Sequence, residues 1–351
     1  MIKRRKTKKI KVGNLYIGGN APVLVQSMTN TDTRDVRKTV AQIRALEKAG
    51  CEMARVAVPD MAAAKALGKI KKQIKIPLVA DIHFSADLAL EALNQGVDKL
   101  RINPGNIGSE EKIQMVVAAA KKKKIPIRIG INGGSLEKDL LKKYKNKVTA
   151  GAMVESAMRH IRILEKYNFK DILVSLKASD IERTVEAYRL LSQKVNYPLH
   201  IGVTEAGTAF RGTVMSSIGL GILLYEGIGD TLRVSLTADP VAEIPVAWEI
   251  LKSLGLRKRG ITVISCPTCG RTEIDLEGLA KKVEQAVAGI DKDMHIAVMG
   301  CVVNGPGEAR EADLAIIGGK GVGLITRKGE IIKKVSERKL LREFIEEVKK
   351  Y

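Results

Sequence analysis

Three cysteines in the last third of the chain carry its densest chemical information. Cys266-Pro267-Thr268-Cys269 is followed by Cys301 in the run Met299-Gly300-Cys301-Val302-Val303-Asn304-Gly305-Pro306-Gly307-Glu308, and each thiol stands beside glycine or proline. Soft thiolates in such loops hold zinc, form a redox dithiol or bind an iron-sulfur cluster, and Cys-x-x-Cys alone leaves all three open. His295 could complete a zinc site, but alternation along Met294–Met299 places it equally well on a strand surface. A radical-type cluster loop needs three cysteines close together in one loop, which this sequence lacks. Four cysteines in 351 residues are too sparse for a disulfide scaffold. Cys51, at the entry to an apolar strand, reads as a buried structural thiol.

A second set of reactive residues emerges from the elements that carry them. From residue 22 a short β-branched run alternates with a longer amphipathic stretch. Strands are predicted at 22–28, 53–58, 77–82, 99–103, 126–131, 171–176, 198–203 and 231–236, and helices at 36–49, 62–73, 86–95, 109–122, 153–167, 181–194, 213–225 and 242–254. That is the size and order of a (β/α)8 TIM barrel. The segment Lys9–Gly18 is expected to form a hairpin closing the barrel bottom.

In such barrels the reacting groups come from the C-terminal ends of the strands, where residues i and i+2 point the same way. Arg55, Asp81, His83, Arg101, Asn103, Arg128, Asn132, Ser175, Lys177, Thr204, Glu205, Arg233 and Ser235 fall there. Arg55, Arg101, Arg128, Lys177 and Arg233 outnumber Asp81 and Glu205, so the mouth carries excess positive charge that an anionic ligand would relieve. Guanidinium groups match phosphate oxygens in bidentate fashion, and a diphosphate fits the set. Glu205 and His83 are the candidates for proton transfer. The segment Gly133–Ala150 is long enough to form a lid.

The polar stretch Gly255–Gly260 reads as a linker, dividing the chain into domains at 1–255 and 261–351. The second should be a small α/β domain with strands at 261–265, 295–299, 314–317 and 322–326 and helices at 276–290 and 336–350. Its glycine run Gly318–Gly323 lacks the Ser or Thr of a phosphate-binding loop and reads as a turn between strands.

Lys and Arg number 60 against 39 Asp and Glu, a net charge of +21, which suits an acidic partner or a phosphorylated substrate. Nucleic acid is disfavoured, because aromatic residues make up only 3% of the chain and runs such as Lys121–Lys124 fall where helices should end and their dipoles favour cations. No stretch approaches a membrane span, and no apolar segment follows the basic N-terminal residues; a cytoplasmic protein is expected.

Cys266-Pro267-Thr268-Cys269-Gly270-Arg271 and the Met299–Glu308 run resemble, together with several barrel motifs, the 4-hydroxy-3-methylbut-2-enyl diphosphate synthases of the non-mevalonate isoprenoid pathway. The barrel motifs are Gln26-Ser27-Met28, Asp81-Ile82-His83-Phe84, Arg101–Asn106, Arg128–Ser135 and Glu226–Ser235. The resemblance spans almost the whole chain. It implies a compact bacterial-type iron-sulfur oxidoreductase, a TIM barrel followed directly by a small α/β iron-sulfur domain. It also implies a [4Fe-4S] cluster held by Cys266, Cys269, Cys301 and, as a fourth ligand, Glu308. Arg55, Arg101, Arg128, Asn132, Lys177, Arg233 and Ser235 would hold the diphosphate of 2-C-methyl-D-erythritol 2,4-cyclodiphosphate. The expected reaction is its reductive ring opening and dehydroxylation, with Glu205 near the reacting hydroxyl. Flavodoxin or ferredoxin would donate the electrons, and the enzyme would be a homodimer whose sites lie between the barrel of one subunit and the cluster domain of the other. A pterin-binding-type barrel enzyme leaves the cysteine domain unexplained; a zinc-stabilised RNA-binding protein is the rival from another class.

Overall fold

The computed structural model describes residues 2–83, 85–303 and 305–351. The chain forms two compact units, Met1–Arg257 and Lys258–Tyr351.

The first unit opens with an antiparallel hairpin of β1 (Ile10–Val12) and β2 (Leu15–Ile17). Its Ile10, Val12 and Ile17 are buried with Leu24, Met53, Val79 and Leu173, residues low on the barrel strands, so the hairpin plugs the N-terminal end of the barrel. The barrel strands are β3 (Leu24–Met28), β4 (Met53–Ala57), β5 (Leu78–Asp81), β6 (Lys99–Ile102), β7 (Ile127–Asn132), β8 (Ile172–Lys177), β9 (His200–Ile201) and β10 (Thr231–Leu232). All pair in parallel in the order β8-β7-β6-β5-β4-β3-β10-β9, and a bridge from Val174 to Leu199 joins the two ends.

Around them run α1 (Val36–Ala49), α2 (Met61–Lys71), α3 (Ala86–Asn94), α4 (Glu110–Lys123), α5 (Lys138–Lys143), α6 (Ala150–Lys166), α7 (Ile181–Lys194), α8 (Ala209–Tyr225) and α9 (Glu243–Ser253). The side chains of Asp35, Asp60, Ser85, Thr149 and Asp180 accept backbone N–H bonds at the starts of α1, α2, α3, α6 and α7, fixing where each strand-to-helix loop ends. Lys121, Lys122 and Lys123 occupy the last turn of α4, where cations meet the helix dipole favourably.

β9 and β10 are shorter than the alternation predicts. Arg233 N–H still donates to Ile201 O at 3.0 Å, but beyond it the pairing stops at Gly202, where a Cβ would meet Lys177 Nζ at 2.5 Å. The segment 133–149 is anchored by buried Leu136 and Leu140 and carries α5. No described helix is long and apolar enough to cross a membrane.

The second unit contains β11 (Ile261–Ser265), α10 (Leu276–Val287), β12 (Met294–Met299), α11 (Gly305–Glu308), β13 (Leu314–Gly319), β14 (Val322–Arg327), β15 (Glu330–Ser336) and α12 (Glu337–Lys350). Its sheet runs in sequence order, with β11, β12 and β13 parallel and β14 and β15 antiparallel additions. α10 and α12 bury Leu276, Val283, Leu340, Phe344 and Val348 against Ile296, Val298, Leu314 and Ile316. The glycine run Gly318–Gly323 is the β13–β14 hairpin, with Gly321 at φ 73°. The sequence pattern did not reveal β15: Ile331 and Ile332 lie exposed on an edge strand beside Lys333 and Lys334, so no buried face generates a period of two.

Candidate active site

The pleat of a closed parallel barrel sends alternate residues into its lumen. Leu24, Met53, Val79 and Leu173 form the lowest inward layer above the hairpin. Above that layer the lumen turns polar, with Gln26, Lys99, His200 and Thr231 all buried. Still higher come Arg55, Asp81, Arg101, Arg128, Ser175 and Arg233, and at the rim Asn132, Lys177, Thr204 and Ser235. These, with His83, Gly130 and Ile131, line one cavity of about 200 Å³. Asn103 is buried but does not line it; its Oδ1 accepts the Gly130 N–H at 3.2 Å and ties β6 to β7. Glu205, next to Thr204, is exposed, sits outside the lining and holds a left-handed backbone at φ 54°.

The cavity holds more cation than anion. Asp81 Oδ1 lies 3.1 Å from Arg101 Nη1 and 3.5 Å from His83 Nε2, while its Oδ2 lies 3.6 Å from Arg55 Nε. Burial opposes ionisation of Asp81, but Arg55, the His83 hydrogen bond, Arg101 and Arg128 outweigh it and hold the carboxyl well below the usual carboxylate range. Arg101 Nη2 also donates to Gly130 O at 2.8 Å. That close crossing needs a glycine, since a Cβ on Gly130 would meet Arg101 Nε at 2.3 Å.

Arg233 is the best-neutralised cation, with Nε and Nη2 donating to Glu243 Oε2 and Oε1 at 3.2 and 3.1 Å. Glu243 begins α9, is buried, and also accepts from Ser27 Oγ at 2.7 Å and Leu236 N at 3.2 Å. Strand-end reasoning missed it because it lies on a helix.

Among the described residues Arg128 and Lys177 have no such carboxylate. Arg128 Nη1 donates to Ser175 Oγ at 3.2 Å, whereas its buried Nε and Nη2 find no partner among the described residues. Burial drives both Arg128 and Lys177 well below their ordinary pKa, and Arg55 adds to the effect in each. Burial likewise pulls Arg55 down to about 10 against the attraction of Asp81. Below them Lys99 Nζ reaches, among the described residues, only Gln26 Oε1 at 3.2 Å and Met53 Sδ at 2.9 Å, and burial lowers it too. Lys99 and His200 share the parity of Arg101 and Thr204, so extending the alternation down each strand would have found them. Buried cations facing unused donors are costly, and a bound polyanion removes that cost.

In the second unit, Cys266 follows β11 and Cys301 follows β12, two neighbouring parallel strands, and Cys266 N–H donates to Val298 O at 3.2 Å. Gly300 N–H donates to Cys266 Sγ at 3.3 Å, tying the loop after β12 to the loop after β11. Cys269 is exposed, its own N–H held by Thr272 Oγ1 at 3.0 Å, and Glu273 N–H bonds Gly300 O, lacing the two cysteine loops together. Three reduced thiols on laced loops are a soft donor set suited to iron-sulfur chemistry. Among the described residues no three Cys, His, Asp or Glu side chains already converge as a metal site. The side chain of Glu308, like Asn304 before it and Phe84 in the barrel motif, lies outside the described residues. His295 is exposed on β12.

Comparison with known proteins matches both units. Residues 7–248 match the GcpE TIM-barrel domain and residues 262–350 the GcpE protein C-terminal domain. Proteins named 4-hydroxy-3-methylbut-2-en-1-yl diphosphate synthase (flavodoxin) are similar throughout. That of Clostridium acetobutylicum is 60% identical over 99% of this chain and 99% of its own. Those of Geobacter sulfurreducens and Thermodesulfovibrio yellowstonii are 61% identical over 99% and 98%, and 60% identical over 100% of both chains.

Proposed function

This chain belongs to the GcpE family, the 4-hydroxy-3-methylbut-2-en-1-yl diphosphate synthases, and from that premise we propose how its residues divide the work of the reaction. It is an iron-sulfur oxidoreductase of isoprenoid biosynthesis that converts 2-C-methyl-D-erythritol 2,4-cyclodiphosphate to (E)-4-hydroxy-3-methylbut-2-enyl diphosphate. Membership through both units leaves no place for the pterin-barrel or RNA-binding readings. The reaction consumes two electrons and two protons: one carbon–oxygen bond to phosphate breaks, opening the ring, and a hydroxyl departs as water.

The observation that carries the assignment of roles is the convergence of Arg55, Arg101, Arg128, Lys177 and Arg233 on one small cavity holding only one lining carboxylate, Asp81. In this reading the five cations, with Asn132, Ser175, Thr204 and Ser235, hold the diphosphate. Arg128 offers its two unpartnered donors, Nε and Nη2. As the ring opens, charge accumulates on the released phosphate oxygen, and preorganised guanidinium groups stabilise that charge most. Asp81 orients Arg101, Arg55 and His83, and Asn103 braces the floor through Gly130. Glu205, exposed at the rim, supplies a proton to the departing hydroxyl, with His83 beside Asp81 as the other proton source.

Cys266, Cys269, Cys301 and Glu308 would hold a [4Fe-4S] cluster, which when bound delivers electrons one at a time. Flavodoxin, the donor in the relatives' names, suits the strongly basic chain better than a neutral partner. A homodimer, and the cytoplasm as the compartment where four free thiols stay reduced, complete the reading.

Anaerobic purification followed by assay tests it. About four iron and four sulfide per chain are expected, with product formed from the cyclodiphosphate and reduced flavodoxin. Glu308→Ala should lose cluster and turnover, while Cys51→Ser keeps both. A colourless protein with one zinc, or cluster content indifferent to Glu308→Ala, contradicts the assignment.

A further inference from the structure

His160, on α6, is buried and takes no part in the chemistry above. Its ring stands between two loops that issue from the barrel mouth. Nδ1 accepts the backbone N–H of Gly105 at 2.9 Å, and Nε2, buried and without a hydrogen bond among the described residues, lies 3.4 Å from Glu137 Oε1. An acceptor at Nδ1 leaves the proton of the neutral ring on Nε2, facing Glu137. Gly105 belongs to the turn Pro104–Asn106 directly after Asn103, and Glu137 follows the turn Gly133–Ser135 directly after Asn132. One imidazole therefore spans the loops that carry both asparagines assigned to the site.

The contact is shaped from both sides. A Cβ on Gly105 would lie 2.7 Å from His160 Cε1, so this loop can seat the ring only with glycine there. Burial pulls the imidazole below its ordinary pKa, opposed by Glu137 and aided by Arg159, which is itself held by Asp139 and Glu155 at 2.7 and 3.3 Å. Burial thus favours the neutral ring, and the Gly105 N–H selects its tautomer.

We propose that His160 is a positioning residue for the reaction, fixing the spacing of the loops after β6 and β7 so that Asn132 is set for the diphosphate and Asn103 holds Gly130 of the cavity wall in place. The inference rests on the reading of the barrel mouth as the diphosphate site. Losing the Gly105 acceptor should loosen substrate binding and leave electron transfer alone, since neither loop carries a cluster ligand.

The test uses the full-length, cluster-loaded protein with His160→Ala, His160→Asn and His160→Gln. Asparagine can place an acceptor near Nδ1; glutamine reaches toward Nε2. His160→Ala should raise KM for the cyclodiphosphate about tenfold, the loss expected for one buried amide left without its acceptor, with kcat within about twofold. His160→Asn should recover most of that KM, and His160→Gln should not. Hydrogen exchange over residues 103–108 should speed up in His160→Ala and His160→Gln and return toward wild type in His160→Asn. Wild-type KM in His160→Ala, an asparagine variant no better than alanine, or unchanged exchange over 103–108 overturns the proposal. Exchange is read without turnover, so a wild-type enzyme inactive on the cyclodiphosphate would refute the functional reading while the loop linkage is still judged.

Discussion

Replacing Arg128 with methionine should make the ligand-free protein more stable and its grip on a diphosphate weaker. Arg128 is 1% exposed, bonds only Ser175 among the described residues, and leaves Nε and Nη2 buried without partners. Each buried donor without an acceptor costs about 1–3 kcal/mol, and Arg55 and Arg101 add repulsion. Methionine keeps the length of the aliphatic stem and removes the charge and both orphaned donors. After the lost Ser175 bond is set against this, a net gain of about 2 kcal/mol remains, by analogy with apolar replacement of other buried charges. For a unit of this size that is a Tm rise of roughly 4–8 °C. The same side chain would make charge-assisted bonds to the substrate worth about 1.5–3 kcal/mol each, so kcat/KM should fall on the order of a hundredfold. Thermal unfolding with and without inorganic pyrophosphate reads both effects: the variant should start higher and gain less from pyrophosphate. A variant that melts lower than wild type, and still gains the wild-type increment from pyrophosphate, would show that Arg128 is a structural ion-pair member and refute the reasoning.

Glu243→Gln should act in the opposite sense. It leaves partly buried Arg233 without its carboxylate and weakens the bonds to Ser27 and Leu236, so a loss of about 3 kcal/mol, the low end for breaking a buried pair, is expected in urea unfolding. Asp81 is held ionised in the folded state below its unfolded value, so its contribution is complete at neutral pH and fades as pH falls below roughly 3.9. Asp81→Asn should therefore lower Tm at pH 7 and flatten the acid limb of Tm against pH; an unchanged acid limb would remove Asp81 from the linkage. Cys51 donates to Met53 O at 3.1 Å, and burial pushes its thiol up to about 12. Maleimide should label exposed Cys269 of the cluster-free protein at pH 8 well before Cys51, and equal labelling rates would contradict that burial.

Much of the barrel was legible from local pattern. Strands buried on both faces are short β-branched runs, amphipathic helices follow each, and both signals lie within a dozen residues of chain. α1 and α7 begin and end where periodicity places them, because Asp35 and Asp180 cap them locally. β15 was not legible, because an edge strand with exposed Ile331 and Ile332 has no buried face to alternate. Glu243 was not legible either. Its importance lies in meeting Arg233 and Ser27, which stand 10 and 216 residues away along the chain.

The sequence by itself determined most of the barrel's elements, the strand-end cations and the paired cysteine loops, since periodicity, caps and residue type are local properties. Only tertiary structure decided which cations are neutralised, by Asp81 and Glu243, and which, like Arg128 and Lys177, stay short of partners. It also decided that Gly130 and Gly202 leave room for Arg101 and Lys177, and that His160 reaches two loops at once. Those are consequences of closing eight strands into one barrel: closure brings distant residues within hydrogen-bond range, and burial then makes each missing or present partner count.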